Sequence, residues 1–392
     1  MNIMFVLKSF EIGGLEIVSA VLANKFSQKG HNISIFVFCP TKRSMESMLD
    51  SGIHIYKARR YEFNRENVSA MKNAMLEEKT QIVINQWGLP YIPIKTIRKA
   101  IEGLDVKVIS VYHNNPSFNG RIQGVQNELE ACSTLMKRLL LSMKKAAYKA
   151  ATSAGMRYNY RKSDRFAVLS PCYIREFEQF TGLRRHDHLM VQTNPVTIDA
   201  SGFDYAHERK RKEVVYVGRL DFTQKRVERI LETWSLLEPR FPDWKLSIVG
   251  TGRDEQRLRQ QAADLKLRNA SFEGYQQPCG YYERASLLVL TSDFEGFPLV
   301  LAECMSFGVV PVVYDSFPAV GDIVKHKKNG MIVRPSDQGF DKNAMAEAMS
   351  AIMADDAERN RMAQAAIKTA ANYAIDSIYE QWMQTFQELL KK

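Results

Sequence analysis

Several things are scarce in this chain, and each scarcity excludes something. No apolar run is long enough to span a bilayer. Cysteine is sparse: five in 392 residues, Cys39, Cys132, Cys172, Cys279 and Cys304, scattered without metal-ligand spacing. An odd, dispersed set argues against a disulfide framework and fits reduced thiols in the cytosol. The N-terminal "MNIMFVLKSFEIGG" has neither a basic leader nor a small-residue cleavage site, so no signal peptide is expected. No clustered acidic or histidine set is evident, so no metal is expected. Short-period repeats and low-complexity tracts are absent too. Acidic residues are the last deficit. Against 54 Lys and Arg stand 44 Asp and Glu, a net charge of +10. That excess favours an anionic partner: nucleic acid, an acidic membrane surface or a phosphorylated substrate. It is concentrated, because Lys137 to Lys162 holds eight Lys or Arg and no Asp or Glu.

A hydrophobic fraction of 45% and a charged fraction of 25% are those of a soluble globular protein. The length exceeds one ordinary core and implies two domains. "NIMFVLKSF", a loop with Gly13 and Gly14, an apolar-periodic stretch from about Glu16 to Gly30 and "HNISIFVF" form a βαβ unit. "QIVINQW", "VKVISVYH" and "DRFAVLSP" extend the sheet, and "HLMVQTNPV" closes this half. Their near-continuous apolar character suits parallel strands buried on both faces. The polar "TIDASGFDYAHERKRKE" reads as a linker, after which strand and helix alternate again from "EVVYVGRL". In the last segment Ile378, Trp382, Phe386 and Leu389 would share one helix face.

The stretch "TSDFEGFPLVLAECMSFG" carries Glu295 and Glu303 with seven residues between them. A strand, "ASLLVLTS", ends just before it and a helix follows, so Glu295 lies at a strand's C-terminal end, where open α/β sheets bind ligands. Pro298 suits the first helical position and Gly308 the residue after the last turn. The amides around Phe297 to Val300 would then offer an anion site. Carboxylates beside it would bind hydroxyl groups through charge-strengthened hydrogen bonds. Alone, the pair reads equally as a helix-dipole partner and a solvated helix residue. A second constellation follows "VVYVG": Arg219 and, six residues on, Lys225, a guanidinium and an ammonium suited to a diphosphate, with Gly218 allowing close approach. Alone, these are also ordinary surface cations. "GTGRD", with Gly250 and Gly252, is a third strand-end loop, weak evidence by itself.

Together these motifs resemble the retaining glycosyltransferases of family 4, along most of the chain. Glu295 and Glu303 are similar to that family's E-x7-E motif, and Arg219 and Lys225 to its diphosphate-binding pair. "NASFEGYQ" is similar to the segment whose backbone meets the nucleotide base, around Glu273, Gly274 and Tyr275. Gly13 and Gly14 resemble the glycine loop near donor phosphate and acceptor, and His113 in "SVYHNNP", followed by Asn114, the histidine facing the donor sugar. The resemblance implies an α/β GT-B fold: two doubly wound Rossmann-like domains facing across a cleft. It assigns residues 1–198 to an acceptor domain, 199–212 to a linker, 213–372 to a nucleotide-sugar domain and 373–392 to a helix crossing back. It also implies metal-independent transfer of a hexose-type sugar from a nucleoside diphosphate, UDP first, to a glycan or lipid-linked acceptor. Glu303 would hold ribose and Glu295 the sugar. Arg219, Lys225 and the Gly296, Phe297, Pro298 and Leu299 turn would hold the diphosphate. Arg226 departs from the usual Gly after the Lys, adding a cation near the phosphates or displacing the helix start. A sugar-nucleotide epimerase and a non-catalytic nucleotide-sugar or lipid-binding module are the alternatives.

The basic segment has two readings. At 100° per residue Lys137, Arg138, Lys144, Lys145 and Lys149 share an arc that also holds Leu141 and Tyr148. Leu135, Leu139, Met143, Ala146 and Ala150 lie opposite. Either the apolar arc faces the core beside a solvated basic side, or the basic arc rests on anionic lipid with Leu141 and Tyr148 dipping in. The latter would place the protein on the inner face of the cell membrane. No nucleic-acid recognition module is evident.

Overall fold

The computed structural model describes residues 1–11, 13–40, 45–183 and 188–391. They form two units, Met1–Thr197 with Ala374–Lys392, and Ile198–Tyr373.

The first unit is built on seven parallel strands: β1 (Asn2–Ser9), β2 (Asn32–Cys39), β3 (His54–Lys57), β4 (Ile82–Asn85), β5 (Lys107–Tyr112), β6 (Arg165–Val168) and β7 (Leu189–Val191). Their order is β3-β2-β1-β4-β5-β6-β7. Between them run α1 (Gly14–Gln28), α2 (Arg65–Glu77), α3 (Tyr91–Ala100), α4 (Gly120–Glu130), α5 (Leu135–Arg161) and α6 (Cys172–Thr181). Ile3 to Leu7 of β1 are all buried, because the strand lies inside the sheet with helices over both faces. Consecutive strands step outward from β1 on one side and from β4 on the other. The order therefore reverses between β1 and β4, the switch point at which such sheets open a crevice beyond the strand ends.

The second unit repeats this design with six strands: β8 (Arg211–Val217), β9 (Lys245–Val249), β10 (Ala270–Gly274), β11 (Ala285–Leu290), β12 (Val310–Tyr314) and β13 (Met331–Val333), ordered β10-β9-β8-β11-β12-β13. Its helices are α7 (Val227–Leu237), α8 (Glu255–Asp264), α9 (Cys279–Arg284), α10 (Leu299–Ser306), α11 (Val320–Ile323), α12 (Lys342–Ala354) and α13 (Asp356–Ala370). Here the switch point falls between β8 and β11. Residues 199–212, expected as a linker, are part of this unit. Tyr205 packs on its core and donates to Asn360 Oδ1 at 3.2 Å, Lys210 donates to the Tyr282 carbonyl at 2.7 Å, and Arg211 already opens β8. The aromatic content of "FDY" outweighs the polar character of its surroundings.

The closing helix α14 (Ile375–Leu390) belongs to the first unit. Ile378, Trp382, Phe386 and Leu389 are all buried, and Phe26 of α1 meets Tyr379 and Phe386 at ring distances of 5.5 and 5.6 Å. No helix among the described residues is long and apolar enough to cross a membrane.

Candidate functional site

The residues singled out in the second unit gather at its switch point. The loop after β8 carries Gly218, Arg219 and Lys225, and the loop after β11 carries Glu295. Asp221 shapes the first loop: its Oδ1 accepts from the amides of Thr223, Gln224 and Lys225 at 3.0, 2.6 and 3.1 Å. That turn aims Lys225 across at Glu295, and the two form an ion pair of 2.6 Å whose side chains are 13% and 9% exposed. Gln224 completes the array. Its Nε2 donates to the Phe294 carbonyl at 3.1 Å and to Glu295 Oε2 at 3.4 Å, while its Oε1 accepts from Arg219 Nη2 at 2.7 Å. A guanidinium, an amide, an ammonium and a carboxylate thus stand in one connected row, with the Arg219 end exposed.

The glycines of this edge serve close packing. Gly250 has φ 133°, and a Cβ there would run into the Gly218 carbonyl, as one on Gly252 would into the Leu220 backbone. The Gly218 amide donates to Val249 O at 3.0 Å and that of Gly250 to Gly274 O at 2.7 Å. These amides lace the strand ends together, so what Gly218 and Gly250 offer a ligand is the absence of a side chain rather than a free N–H.

Arg226 neither displaces the helix nor joins the cations of the row. It precedes α7 with φ 53°. Its Nε donates to Glu228 Oε1 at 2.5 Å and its Nη1 to Asp293 Oδ2 at 3.1 Å, and Arg229 holds the other Asp293 oxygen at 2.6 Å. Thr291 Oγ1 donates to the Arg226 carbonyl at 2.9 Å. The extra cation is a strap between the two loops that carry Lys225 and Glu295.

The helix α10 begins one residue later than the pattern suggests, with Pro298 as the residue before it and no side chain capping its first amides. Phe297 turns its ring onto Tyr373 at 5.3 Å, and the amides of Leu299 and Val300 belong to the first turn of α10, whose N–H groups have no intrahelical partners. Gly308 closes the helix with φ 69° and its amide donates to Met305 O. Glu303 is buried, and Tyr282 approaches its Oε2 at 3.5 Å; burial first, then this carboxylate, hold the Tyr282 phenol well above its ordinary range. At the end of β10, Glu273 accepts from Tyr281 at 3.0 Å, Gly274 takes φ 70°, and Tyr275 is exposed. Asp221, Gln224, Asp293 and Tyr282 went unnoticed in the sequence. Only Asp221, in "LDFTQK", carried a readable signal, a turn-forming side chain three residues ahead of the amide it caps.

In the first unit, Gly13 adopts extended backbone before α1, with Gly14 its first residue. The Glu16 side chain lies against Gly13, and burial raises its carboxyl above the usual range. His113 follows β5; its Nε2 meets Gln86 Oε1 at 2.6 Å, and Asn114 beside it is exposed. Burial lowers the imidazole to about 3, so it is neutral at physiological pH. Since Gln86 Oε1 only accepts, the proton sits on Nε2 and Nδ1 presents a lone pair, buried and without a partner.

The apolar arc of α5 faces outward, the reverse of the core-facing reading, and Leu141 does not dip outward as the lipid reading expected. Leu135, Met136, Leu139, Leu140 and Met143 are 84, 68, 58, 60 and 63% exposed, whereas Leu141 is buried. Lys144 pairs with Glu128 of α4 at 3.6 Å and lies over Tyr148, and Lys145 donates to Gln126. Leu141 is buried and Lys145 and Tyr148 are half-buried toward the protein, while Lys144 reaches Glu128 from an exposed position. Lys137, Arg138 and Lys149 stay exposed. Among the described residues no group of three or more His, Cys, Asp or Glu is placed to hold a metal ion.

Residues 198–369 match the family described as glycosyl transferases group 1. Over 96% of its length the chain is 24% identical to an uncharacterized glycosyltransferase of Haemophilus influenzae, covering 97% of it. It is 22% identical, over 99% of both chains, to the Campylobacter jejuni GalNAc-alpha-(1->4)-GalNAc-alpha-(1->3)-diNAcBac-PP-undecaprenol alpha-1,4-N-acetyl-D-galactosaminyltransferase. The solved pneumococcal O-GlcNAc transferase GtfA, in complex with UDP and GlcNAc, covers 100% of this chain and 99% of its own with a TM-score of 0.75 and 11% identity. The fold is that of the GT-B glycosyltransferases.

Proposed function

With residues 198–369 forming a glycosyl transferases group 1 domain in a GT-B fold, we propose that this glycosyltransferase moves a hexose-type sugar, with retained configuration and without a metal, from a nucleoside diphosphate to a glycan or lipid-linked acceptor. UDP is the first carrier to test, and synthesis of a cell-surface polysaccharide, lipopolysaccharide or glycolipid is the context. The observation that carries this is the row Arg219, Gln224, Lys225 and Glu295 beside the uncapped start of α10. Lys225 and Glu295 pair with each other. An arriving diphosphate competes for the ammonium and frees Glu295 to accept from sugar hydroxyls. Arg219, Lys225 and the α10 amides then sit where charge grows as the diphosphate leaves, the role a divalent ion would otherwise take. Glu303 accepts from ribose hydroxyls, and the neutral His113 offers Nδ1 to a hydroxyl in the first unit. Front-face attack assisted by the leaving phosphate is part of this reading, in which Glu295 binds hydroxyls rather than acting as a covalent nucleophile.

The test is a panel of UDP, GDP and ADP sugars in thermal shift, followed by transfer assays. One donor should raise the melting temperature. Lys225→Ala and Glu295→Ala should each lower kcat/KM about a hundredfold, as loss of a charged contact to the reacting group does. Full transfer in both variants would overturn the site.

The exposed edge of α5 favours a membrane-surface location. Five large apolar side chains form one stripe, and the exposed Lys137, Arg138 and Lys149 adjoin it. This is the pattern of a helix lying in the interface of an anionic bilayer.

A further inference from the structure

We propose that Lys8, Tyr61, Gln86 and Trp87, at the switch point of the first unit's sheet, form an oxyanion site that receives the negatively charged group of a saccharide acceptor. The word acceptor rests on the glycosyl-transfer reading; the chemistry rests on the first unit alone.

Lys8 is the penultimate residue of β1, and Gln86 and Trp87 directly follow β4, the two strands between which the sheet order reverses. The Lys8 ammonium stands 5.3 Å from the ring centroids of both Tyr61 and Trp87, and no ion pair engages it among the described residues. The hydroxyl and indole N–H of these two rings, Tyr61 OH and Trp87 Nε1, are buried without partners, and so is Nε2 of Gln86, the chain neighbour of Trp87. Gln86 is 1% exposed and cannot turn to water, since its Oε1 is held by His113 at 2.6 Å. Leaving such groups unpaired is unfavourable, so several at one sheet edge mark a place that a ligand completes. The Trp87 loop is fixed against the sheet: the Gly88 amide donates to Val111 O at 3.0 Å, and a Cβ on Gly88 would collide with that carbonyl.

The inventory is one-sided. An ammonium, an indole N–H and an amide NH2 only donate. A ligand facing them has to supply acceptor atoms, and an ammonium without a carboxylate calls for negative charge. Two aromatic rings flank the ammonium and suit the apolar faces of a sugar. Lys8 lies over Trp87, Gln86 is the next residue back along the chain, and its Oε1 meets His113. The anionic group therefore belongs to the same acceptor whose hydroxyl meets Nδ1, or to the residue next to it. A phosphate and a carboxylate both satisfy this site.

The test reads Trp87 itself in the full chain. With tryptophan labelled by nitrogen-15, the Trp87 indole signal, identified by its loss in Trp87→Phe, is followed during titration with glucose, glucuronate and glucose 1-phosphate. At least one anionic sugar should move it at tenfold or more below the glucose concentration, and which one does so assigns the carboxylate or the phosphate. Lys8→Met should abolish that preference and Lys8→Arg retain it, with UDP binding unchanged in both. An indole signal indifferent to charge, or a preference that survives in Lys8→Met, overturns the proposal. Absence of UDP binding in the wild-type chain would instead sink the glycosyl-transfer reading and leave the anion preference standing.

Discussion

Arg226 holds a left-handed backbone conformation that costs a residue with a Cβ about 1–2 kcal/mol. Glycine, the residue expected there from the family resemblance, would adopt this conformation without that cost. This chain offsets it with the Glu228 and Asp293 pairs. Arg226→Gly relieves the strain and loses the pairs, whereas Arg226→Ala keeps the strain and loses them too. Urea unfolding should therefore rank wild type above or level with Arg226→Gly, and Arg226→Ala below it by about 1 kcal/mol; the reverse order of the two variants would refute this account. No pattern in "TQKRVERIL" announces a positive φ, so the consequence of the substitution was not legible. The carboxylates and cations themselves were, because strand ends are easily located and few chemistries need such side chains there. His113 allows a pH prediction. Its folded pKa of about 3 lies below the unfolded value of about 6.5. Above pH 6.5 both states are neutral and the group is silent. As the pH falls below 6.5 the unfolded chain takes up a proton that the fold refuses, so stability drops down to about pH 3. In His113→Gln, the loss of stability between pH 6.5 and 3.5 should be smaller than in wild type. Parallel pH profiles would show that the imidazole protonates freely.

Among the elements, strands such as β1, β2 and β11 were legible because burial on both faces leaves unbroken apolar runs. The edge strand β3, four residues with exposed ends, left no such trace. Helix α5 shows the opposite limit. Its periodicity is plain, but a period says which residues share an arc and not which arc meets the protein. The side was decided by Glu128 and Gln126 of α4, distant in sequence from several of the lysines they attract. That reversal changes the membrane experiment. Each exposed Leu or Met that inserts contributes up to about 1.5–3 kcal/mol, and each nearby cation about 1 kcal/mol. Leu135→Ser, Leu139→Ser and Met143→Ser combined should reduce sedimentation with phosphatidylglycerol vesicles more than tenfold without lowering the melting temperature. Lys144→Glu with Lys145→Glu should do less, because both ammonium groups are already engaged by Glu128 and Gln126 of α4. Binding by the triple variant equal to wild type would exclude insertion of this edge.

For the whole molecule, the twofold repetition of strand and helix was visible in the order of apolar runs, and two doubly wound sheets follow from it. The allocation of chain to each unit was less visible in the residues themselves: packing claims polar residues 199–212 for the second unit, and the closing helix was assigned to the first through the family resemblance. The consequence is an asymmetry. The second unit is one continuous stretch, Ile198–Tyr373, holding Arg219, Lys225, Glu295 and Glu303 together. The first needs both ends of the chain, because α14 covers Phe26 and buries Trp382 and Phe386. A fragment of residues 198–373 should therefore melt cooperatively by itself and bind UDP within about tenfold of the full chain, one tenfold step being 1.4 kcal/mol. Residues 1–197 alone should expose the α1 face and aggregate. Joining residues 374–392 to that fragment through a Gly/Ser linker should restore a cooperative melt. If 1–197 folds equally well without α14, the helix is an attachment rather than part of that core; if 198–373 folds but takes up no UDP, the row at the β8/β11 switch point is not sufficient for donor binding.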